Sequence, residues 1–204
     1  MKALVQVSGG LDSAAALLFA NEVHICHAVL YNYGQPYWEA ERQAAYHLTR
    51  RFKIPLDIIS IPVPQVTLEF AVKEYFPMRN LVLTAHSVSM AVSMGFDRVV
   101  VGSKTHTVRA GDPYSFRDSS YQFFDSFNET VGRGCEPDAA PVQIWMPLVG
   151  WSKRDVLYYL RQHNVDPDSL WTCYGPGPKP CGICYHCQEY QKAKAELSNE
   201  MHNR

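Results

Sequence analysis

Apolar residues along the chain fall into five short runs, which are separated by longer stretches of mixed polarity. The first run follows the N-terminal Met-Lys pair and ends close to two glycines, Gly9 and Gly10. Runs that are short and apolar throughout are typical of strands buried on both faces of a parallel sheet. The predicted strands are residues 3–7, 23–31, 54–61, 98–102 and 142–146.

The stretches between these strands have helical composition. Gly95 is a natural stop signal for one predicted helix, and Ser152 is a natural N-cap for another. The predicted helices are residues 12–19, 38–52, 81–94, 119–131 and 153–163. Strands that alternate with helices predict an α/β fold in which a parallel sheet carries helices on both faces.

One long polar segment interrupts this alternation. Residues 103–116 are rich in Gly, Asp, Pro, Thr and Ser and show neither strand nor helix periodicity. Since compact domains rarely contain idle connections of this length, we interpret the segment as a lid or binding loop.

Composition narrows the class of protein. The 204 residues suit one well-packed domain, and 47% hydrophobic with 19% charged residues is an ordinary globular balance. A net charge of -1 argues against a protein that coats nucleic acid, so we expect no direct nucleic-acid binding. The N-terminus does not resemble a signal peptide, and no apolar stretch is long enough to span a bilayer. Both observations predict a cytoplasmic protein without membrane contact.

The first strand leads into the sequence Ser8-Gly9-Gly10-Leu11-Asp12-Ser13 and then into a helix. Paired glycines let a backbone turn sharply and approach a phosphate, and N–H groups at a helix start attract anions. Asp12 would repel bare phosphate, which suggests a role with Mg²⁺ or at the helix start. A turn that only caps the helix would use similar residues. The pattern matches neither G-x-x-x-x-G-K-[ST] nor G-x-G-x-x-G, which disfavours phosphoryl transfer and dinucleotide binding.

Four of the six cysteines, namely Cys173, Cys181, Cys184 and Cys187, crowd together near the C-terminus. Four thiolates satisfy a tetrahedral Zn²⁺ ion, and a site with every position filled is structural. An iron–sulfur cluster, a redox pair and unliganded thiols are the alternatives.

The glycine loop, in its place between strand and helix, resembles that of the PP-loop ATP pyrophosphatase superfamily. Further stretches are similar to one branch of it, the 7-cyano-7-deazaguanine synthase family. These stretches are Tyr33-Gly34-Gln35 with Glu39 and Ala44, Pro77-Met78-Arg79-Asn80, Asp112 with Phe116-Arg117-Asp118 and Phe124, Met146-Pro147-Leu148, Ser152-Lys153, and Trp171-Thr172-Cys173-Tyr174 with the three later cysteines.

The resemblance implies an adenine nucleotide alpha hydrolase-like Rossmann fold and a C–N ligase that uses ATP, Mg²⁺ and one structural Zn²⁺. It implies that 7-carboxy-7-deazaguanine is adenylated, that ammonia displaces AMP to give an amide, and that the amide oxygen is adenylated in turn to leave the nitrile. It also implies a homodimer. We expect an ATP-binding domain over residues 1–170, with the zinc-binding loop and C-terminal helix of residues 171–204 packed as part of it.

The family resemblance also implies roles for individual residues. Ser8 to Ser13 would hold ATP phosphates and magnesium, with Asp12, Arg79 and Lys153 as the catalytic charges. The two cations have an alternative as ordinary surface charges beside helices, and Asp118 has one as a helix cap. The predicted substrate contacts are Tyr33, Gln35, Asn80, Phe116 and Asp118; Phe116 is equally suited to the core.

The chain departs from the family pattern at four places, one of which is an insertion-like stretch from Thr105 to Arg109. Gln35-Pro36-Tyr37 replaces Gln-Arg-His, Phe116-Arg117-Asp118-Ser119 replaces Tyr-Pro-Asp-Cys, and Glu189-Tyr190-Gln191 follows the last cysteine where an arginine is usual. These changes leave ATP activation intact but open the reading of an enzyme that stops at the amide or uses another amine. Two separate alternatives are a tRNA-modifying PP-loop ligase or thiolase, and a binding module without turnover.

Overall fold

Five parallel strands form the centre of the computed structural model, which describes residues 1–62, 78–105, 116–135, 140–175 and 178–202. The strands lie in the order β3-β2-β1-β4-β5. They are β1 (Lys2–Val7), β2 (Ile25–Asn32), β3 (Leu56–Ser60), β4 (Arg98–Val100) and β5 (Gln143–Trp145). The central position of β1 explains its continuous apolar run, because Ala3, Leu4 and Val5 are completely buried.

Helices cover both faces of this sheet. One face buries apolar residues of α1, α2, α5 and α6, and the other buries residues of α3 and α4. The helices are α1 (Leu11–Val23), α2 (Trp38–Arg51), α3 (Arg79–Met94), α4 (Tyr121–Gly134), α5 (Lys153–Gln162) and α6 (Tyr185–His202). The predicted fold class is therefore confirmed.

Two predicted helix boundaries are confirmed by their capping geometry. The Ser152 hydroxyl accepts a hydrogen bond from the Asp155 N–H at 3.1 Å, and the Asp155 carboxylate accepts one from the Ser152 N–H at 2.9 Å. Helix α3 ends at Gly95, which takes the left-handed conformation with φ 68°. Both ends are thus determined by local chemistry.

The end of α1 shows the largest difference between a predicted and an observed boundary. Helix α1 continues to Val23, where the sequence predicts the start of the second strand, and β2 begins only at Ile25. Val23 is 62% exposed, so its apolar side chain contributes nothing to the core that would favour a strand.

The order of strands reverses on either side of β1. Chain connections run from β1 towards β2 and β3 on one side and then return to β4 and β5 on the other. Ligands in such sheets bind at the carboxyl ends of the strands where this reversal occurs. The segments after β1 and β4, residues 8–10 and 101–105, meet there.

Several sequence predictions fall outside the described residues: Pro77, Asp112 and residues 106–115 of the proposed lid. Helix α6 packs against α5, and the expected division of the chain at residue 170 stays a prediction. In the part of the chain that the structure describes, no helix combines the length and apolarity needed to cross a bilayer.

Candidate active site

The loop after β1 forms a compact turn that is held by two serines. The Ser13 hydroxyl donates to the Gly10 carbonyl at 3.0 Å and accepts the Ser8 N–H at 3.1 Å. Gly9 has a φ of 70°, a backbone conformation that residues other than glycine rarely adopt. The N-terminus of α1 follows directly, so the positive end of its dipole faces the cleft beyond the loop.

Glycines also let neighbouring segments approach this loop closely. A Cβ atom on Gly9 would collide with the carbonyl oxygen of Glu41 and lie 3.0 Å from the Cβ of Ala44, both on α2. A Cβ atom on Gly102, after β4, would lie 2.9 Å from the backbone nitrogen of Ser13. The loop is therefore clamped between α2 and the end of β4.

A cleft of about 530 Å³ opens above the loop at the carboxyl ends of the strands. This volume is in the range of small-molecule sites. Most of the sequence-predicted site residues line it, namely Ser8, Gly10, Leu11, Asp12, Ser13, Tyr33, Gln35, Arg79, Asn80, Phe116 and Lys153.

Four charged side chains in the cleft lining form a connected network. The Lys153 ammonium donates to both carboxylate oxygens of Asp12, at 2.9 and 2.7 Å. It also lies 3.4 Å from the Glu189 carboxylate, which in turn accepts from Lys104 at 3.2 Å. The network joins α1, α5, α6 and the segment after β4, so two ammonium groups are fixed beside the loop that follows β1.

This network sets the protonation states. Burial opposes the Lys153 charge, but the carboxylates of Asp12 and Glu189 outweigh it and raise the pKa of the ammonium. Burial likewise opposes the Asp12 charge, but Lys153 and Lys104 lower the pKa of that carboxyl below its usual value. Both groups are therefore charged at neutral pH.

Arg79, at the start of α3, also lines the cleft. Its guanidinium donates to the Tyr33 hydroxyl at 3.2 Å and lies over the Tyr33 ring, 5.7 Å from the centroid. A planar, always-charged guanidinium in a cleft wall is suited to binding a carboxylate or phosphate.

Gln35 and Glu41 line the cleft as a hydrogen-bonded pair. The Gln35 amide donates to the Glu41 carboxylate at 2.9 Å and to the Tyr31 carbonyl at 3.0 Å, while its oxygen accepts the Tyr33 N–H at 3.0 Å. Gln35 is only 5% exposed and Glu41 only 7%. The amide of Gln35 therefore has a structural task besides any contact with substrate.

Asp118 lies beside the first turn of α3, in the short 3₁₀ helix Arg117–Ser119. One of its oxygens accepts the Asn80 N–H at 3.0 Å, as a helix-capping carboxylate does. The other oxygen is buried and has no hydrogen-bond partner within the described ranges. The predicted contact of Asp118 with substrate stays a prediction.

The four clustered cysteines come together beside this cleft. Their Sγ atoms all lie within 4.8 Å of one another, which lets a single ion contact all four. The Cys173 Sγ accepts the N–H groups of Gly175 at 3.1 Å and Cys181 at 3.2 Å. Backbone N–H groups of Ile183 and Cys184 lower the pKa of Cys181 to about 6, whereas burial raises that of Cys187 to about 12. The donor set thus fits a thiophilic metal, and backbone donors are in place to stabilise thiolate charge.

Sequence reasoning missed several residues that line the cleft. Lys104 falls in a polar segment without a motif, and Glu189 is noticed only as a departure from a family pattern. Glu41 has a detectable signal, because it shares one helical stripe with the buried residues Ala44, Ala45 and Leu48. Glu39, which the family pattern suggests, is instead exposed and bonded to Arg42 and Gln43.

Comparison with known proteins identifies the family. The model of the family described as "Queuosine biosynthesis protein QueC" matches residues 2–198. The chain belongs to the QueC family. Its relatives in this family include proteins named 7-cyano-7-deazaguanine synthase, so the prediction of a C–N ligase family is confirmed.

Two such relatives cover nearly the whole chain. The synthase of Synechococcus sp. (strain RCC307) is 30% identical over 202 residues, which is 89% of this chain and 89% of the relative. That of Methanosphaerula palustris is 30% identical over 218 residues, covering 97% and 96% respectively.

A solved structure supports the fold. The U34-tRNA thiolase NcsA from Methanococcus maripaludis with its 4Fe–4S cluster superimposes with a TM-score of 0.56 and 15% identity, covering 98% of this chain and 66% of that one. At this identity the similarity concerns the fold alone.

Proposed function

We propose that this QueC family member converts 7-carboxy-7-deazaguanine and ammonia to 7-cyano-7-deazaguanine at the expense of ATP. The acid and then the amide are adenylated, and AMP and pyrophosphate are released. The observation that carries the proposal is the cleft, in which a phosphate-binding loop, two lysines and an arginine converge in a chain of this family.

The cations at the loop suit the chemistry of adenylation. Attack on the α-phosphate places developing negative charge on the leaving pyrophosphate, and fixed donors stabilise such charge without reorganising. Lys153 and Lys104 supply ammonium groups there, with N–H groups of the loop and of the α1 N-terminus. Asp12 is the group that we assign to holding Mg²⁺, which would neutralise phosphate charge when bound.

Arg79 is the group that we assign to the substrate acid. It lines the same cleft as Lys153, and its guanidinium can form two hydrogen bonds with a carboxylate. Once substrate and nucleotide are both bound, proximity supplies a large part of the rate, so a covalent enzyme intermediate is not required.

We assign Zn²⁺ to Cys173, Cys181, Cys184 and Cys187, in a structural role. The four thiols leave no position for substrate, and they lie at the start of α6, which carries Glu189 into the charge network. We further infer from the family resemblance a homodimer in the cytoplasm, which light scattering and cell fractionation would check.

An oxygen-labelled substrate tests the reaction. Each adenylation passes one substrate oxygen to AMP, so acid labelled with ¹⁸O in both carboxylate positions should give two singly labelled AMP molecules per nitrile. Incubation with ATP, Mg²⁺ and ammonia, read by mass spectrometry, measures product and label together. An absence of pyrophosphate release with this acid would refute the proposal and leave a binding module.

A second candidate rests on the departure at Tyr37. This residue replaces the histidine of the family pattern, is 3% exposed, and stacks on Tyr174 with ring centroids 5.1 Å apart. The exchange of an imidazole for a phenol in the cleft lining favours an enzyme that stops at the amide or joins the acid to another amine. One labelled AMP per product would identify this outcome.

A further inference from the structure

Glu41 lies in α2 directly behind the phosphate loop. Its backbone carbonyl is in contact with the position of Gly9, and the residue lines the cleft. The neighbouring Ala44, Ala45 and Leu48 on the same face of α2 are buried in the core. A carboxylic acid on such a face needs an explanation, because burying a charge is costly unless it is paired.

Three carboxylates line the cleft within the described ranges: Asp12, Glu41 and Glu189. Asp12 and Glu189 each form an ion pair with lysine. Glu41 is held instead by the neutral amide of Gln35, at 2.9 Å. It is therefore the one of the three that no lysine neutralises.

The groups around Glu41 keep its proton affinity near neutrality. Tyr33, Tyr37 and Tyr174 face it with neutral phenols, and Arg79 of α3 is the charged group on that side. Burial raises the pKa of Glu41 to about 7, against the smaller opposing effects of Gln35 and Arg79. Groups with such values exchange protons efficiently at neutral pH.

A purely structural role does not require this carboxylate. A glutamine at position 41 offers an oxygen that accepts the same hydrogen bond from Gln35, without the cost of a buried charge. The acid therefore has a use that its amide would not supply.

We propose that Glu41 is the proton acceptor for the amine nucleophile in the amide-forming step, an inference that rests on the proposed function. Ammonia attacks the carbonyl carbon of the acyl adenylate and forms the C–N bond, which leaves a positive charge on nitrogen. The Glu41 carboxylate takes one proton from that nitrogen. The C–O bond to AMP then breaks, its electron pair leaves on the phosphate of AMP, and the neutral amide remains.

Separating the two half-reactions tests this role. Acid-dependent exchange of labelled pyrophosphate into ATP needs no ammonia, whereas AMP formation at a fixed concentration of neutral ammonia needs the nucleophile. We expect Glu41→Gln to keep the exchange rate within about threefold of wild type and to slow ammonia-dependent AMP formation about 100-fold. The rise of the wild-type rate through pH 7 should be lost. Glu39→Gln, on the exposed side of the same helix, is the matched control and should change neither rate.

Other outcomes would overturn the proposal. If Glu41→Gln makes amide at the wild-type rate and with the wild-type pH profile, or loses exchange as severely as AMP formation, Glu41 is not the proton acceptor. If the wild type shows no acid-dependent exchange, the proposed function itself fails, and the role of Glu41 with it. Should Glu41→Gln fail to fold, Glu41→Asp retains a carboxylate and should be slowed while its rate still rises through neutral pH; loss of that rise would count against the proposal.

Discussion

Replacing Glu41 by glutamine should change how the stability of the fold depends on pH. The pKa of Glu41 is about 7 in the folded chain, compared with 4.5 for a free glutamate, because burial disfavours the carboxylate. The folded state therefore holds this proton more tightly than the unfolded state. The free energy of unfolding therefore falls as the pH rises from about 4.5 to about 7. Above that range the loss caused by the buried carboxylate stays constant.

The size of the effect follows from the two pKa values. A factor of ten in a protonation equilibrium corresponds to about 1.4 kcal/mol, so the charged carboxylate costs the fold on the order of 3 kcal/mol above pH 7. Most of this cost arises between pH 5 and pH 8. The Glu41→Gln variant should accordingly gain about 2.5 kcal/mol relative to wild type between these two pH values.

Urea unfolding of wild type and variant at pH 5 and pH 8 measures this difference. Comparing the two pH values removes any constant cost of packing an amide in place of an acid. Glu39→Gln is the control, because Arg42 and Gln43 lower the pKa of Glu39 to about 2 and the exposed group remains charged over the whole interval. A free-energy difference between Glu41→Gln and wild type that is the same at both pH values would refute the burial argument.

Three further changes probe other parts of the site. Gly9→Ala should abolish ATP binding in calorimetry and lower the melting temperature, because its Cβ would collide with α2. Gly95 also has a positive φ but open space around it, so Gly95→Ala should lower the free energy of unfolding by only about 1 kcal/mol. Equal effects of the two changes would contradict the clamping of the loop. Lys153→Met leaves the Asp12 carboxylate without its closest cation and should lower the free energy of unfolding by about 2 to 3 kcal/mol. Adding Asp12→Asn in the same chain should restore part of this loss. Losses that simply add in the double variant would contradict the pairing. Elemental analysis should find about one zinc per chain. Removing the zinc with a chelator should lower the melting temperature and also weaken ATP binding, because the zinc loop leads into α6, which carries Glu189. Stoichiometric iron with a visible absorption band would refute the assignment of zinc.

Local patterns were sufficient to predict the sheet, most of the helices and the glycine turn between β1 and α1. Each depends on residues close together in sequence: a short apolar run for β1, two glycines and a helix start for the loop, and Ser152 with Asp155 for the start of α5. The end of α1 was predicted wrongly because an apolar residue, Val23, extends a run of hydrophobic positions although the fold leaves it exposed.

The charge network could not be predicted in the same way. Lys104 and Glu189 lie 85 positions apart, and only the packing of α6 against the rest of the domain brings them together. Glu41 was missed for a different reason, since the composition of a helix rich in Glu and Arg does not show which of its acids is buried. Only the position of Glu41 relative to Ala44, Ala45 and Leu48 distinguishes it from Glu39.

The backbone bond from Trp171 N–H to the Gly9 carbonyl, 2.9 Å long, joins segments from opposite ends of the described chain. The same is true of the network that runs from Asp12 through Lys153 to Glu189. During synthesis the loop after β1 therefore leaves the ribosome long before the residues that complete the cleft beside it. Nascent chains that have not yet reached residue 189 lack part of the charge network, so the cleft is completed only in the last stage of folding.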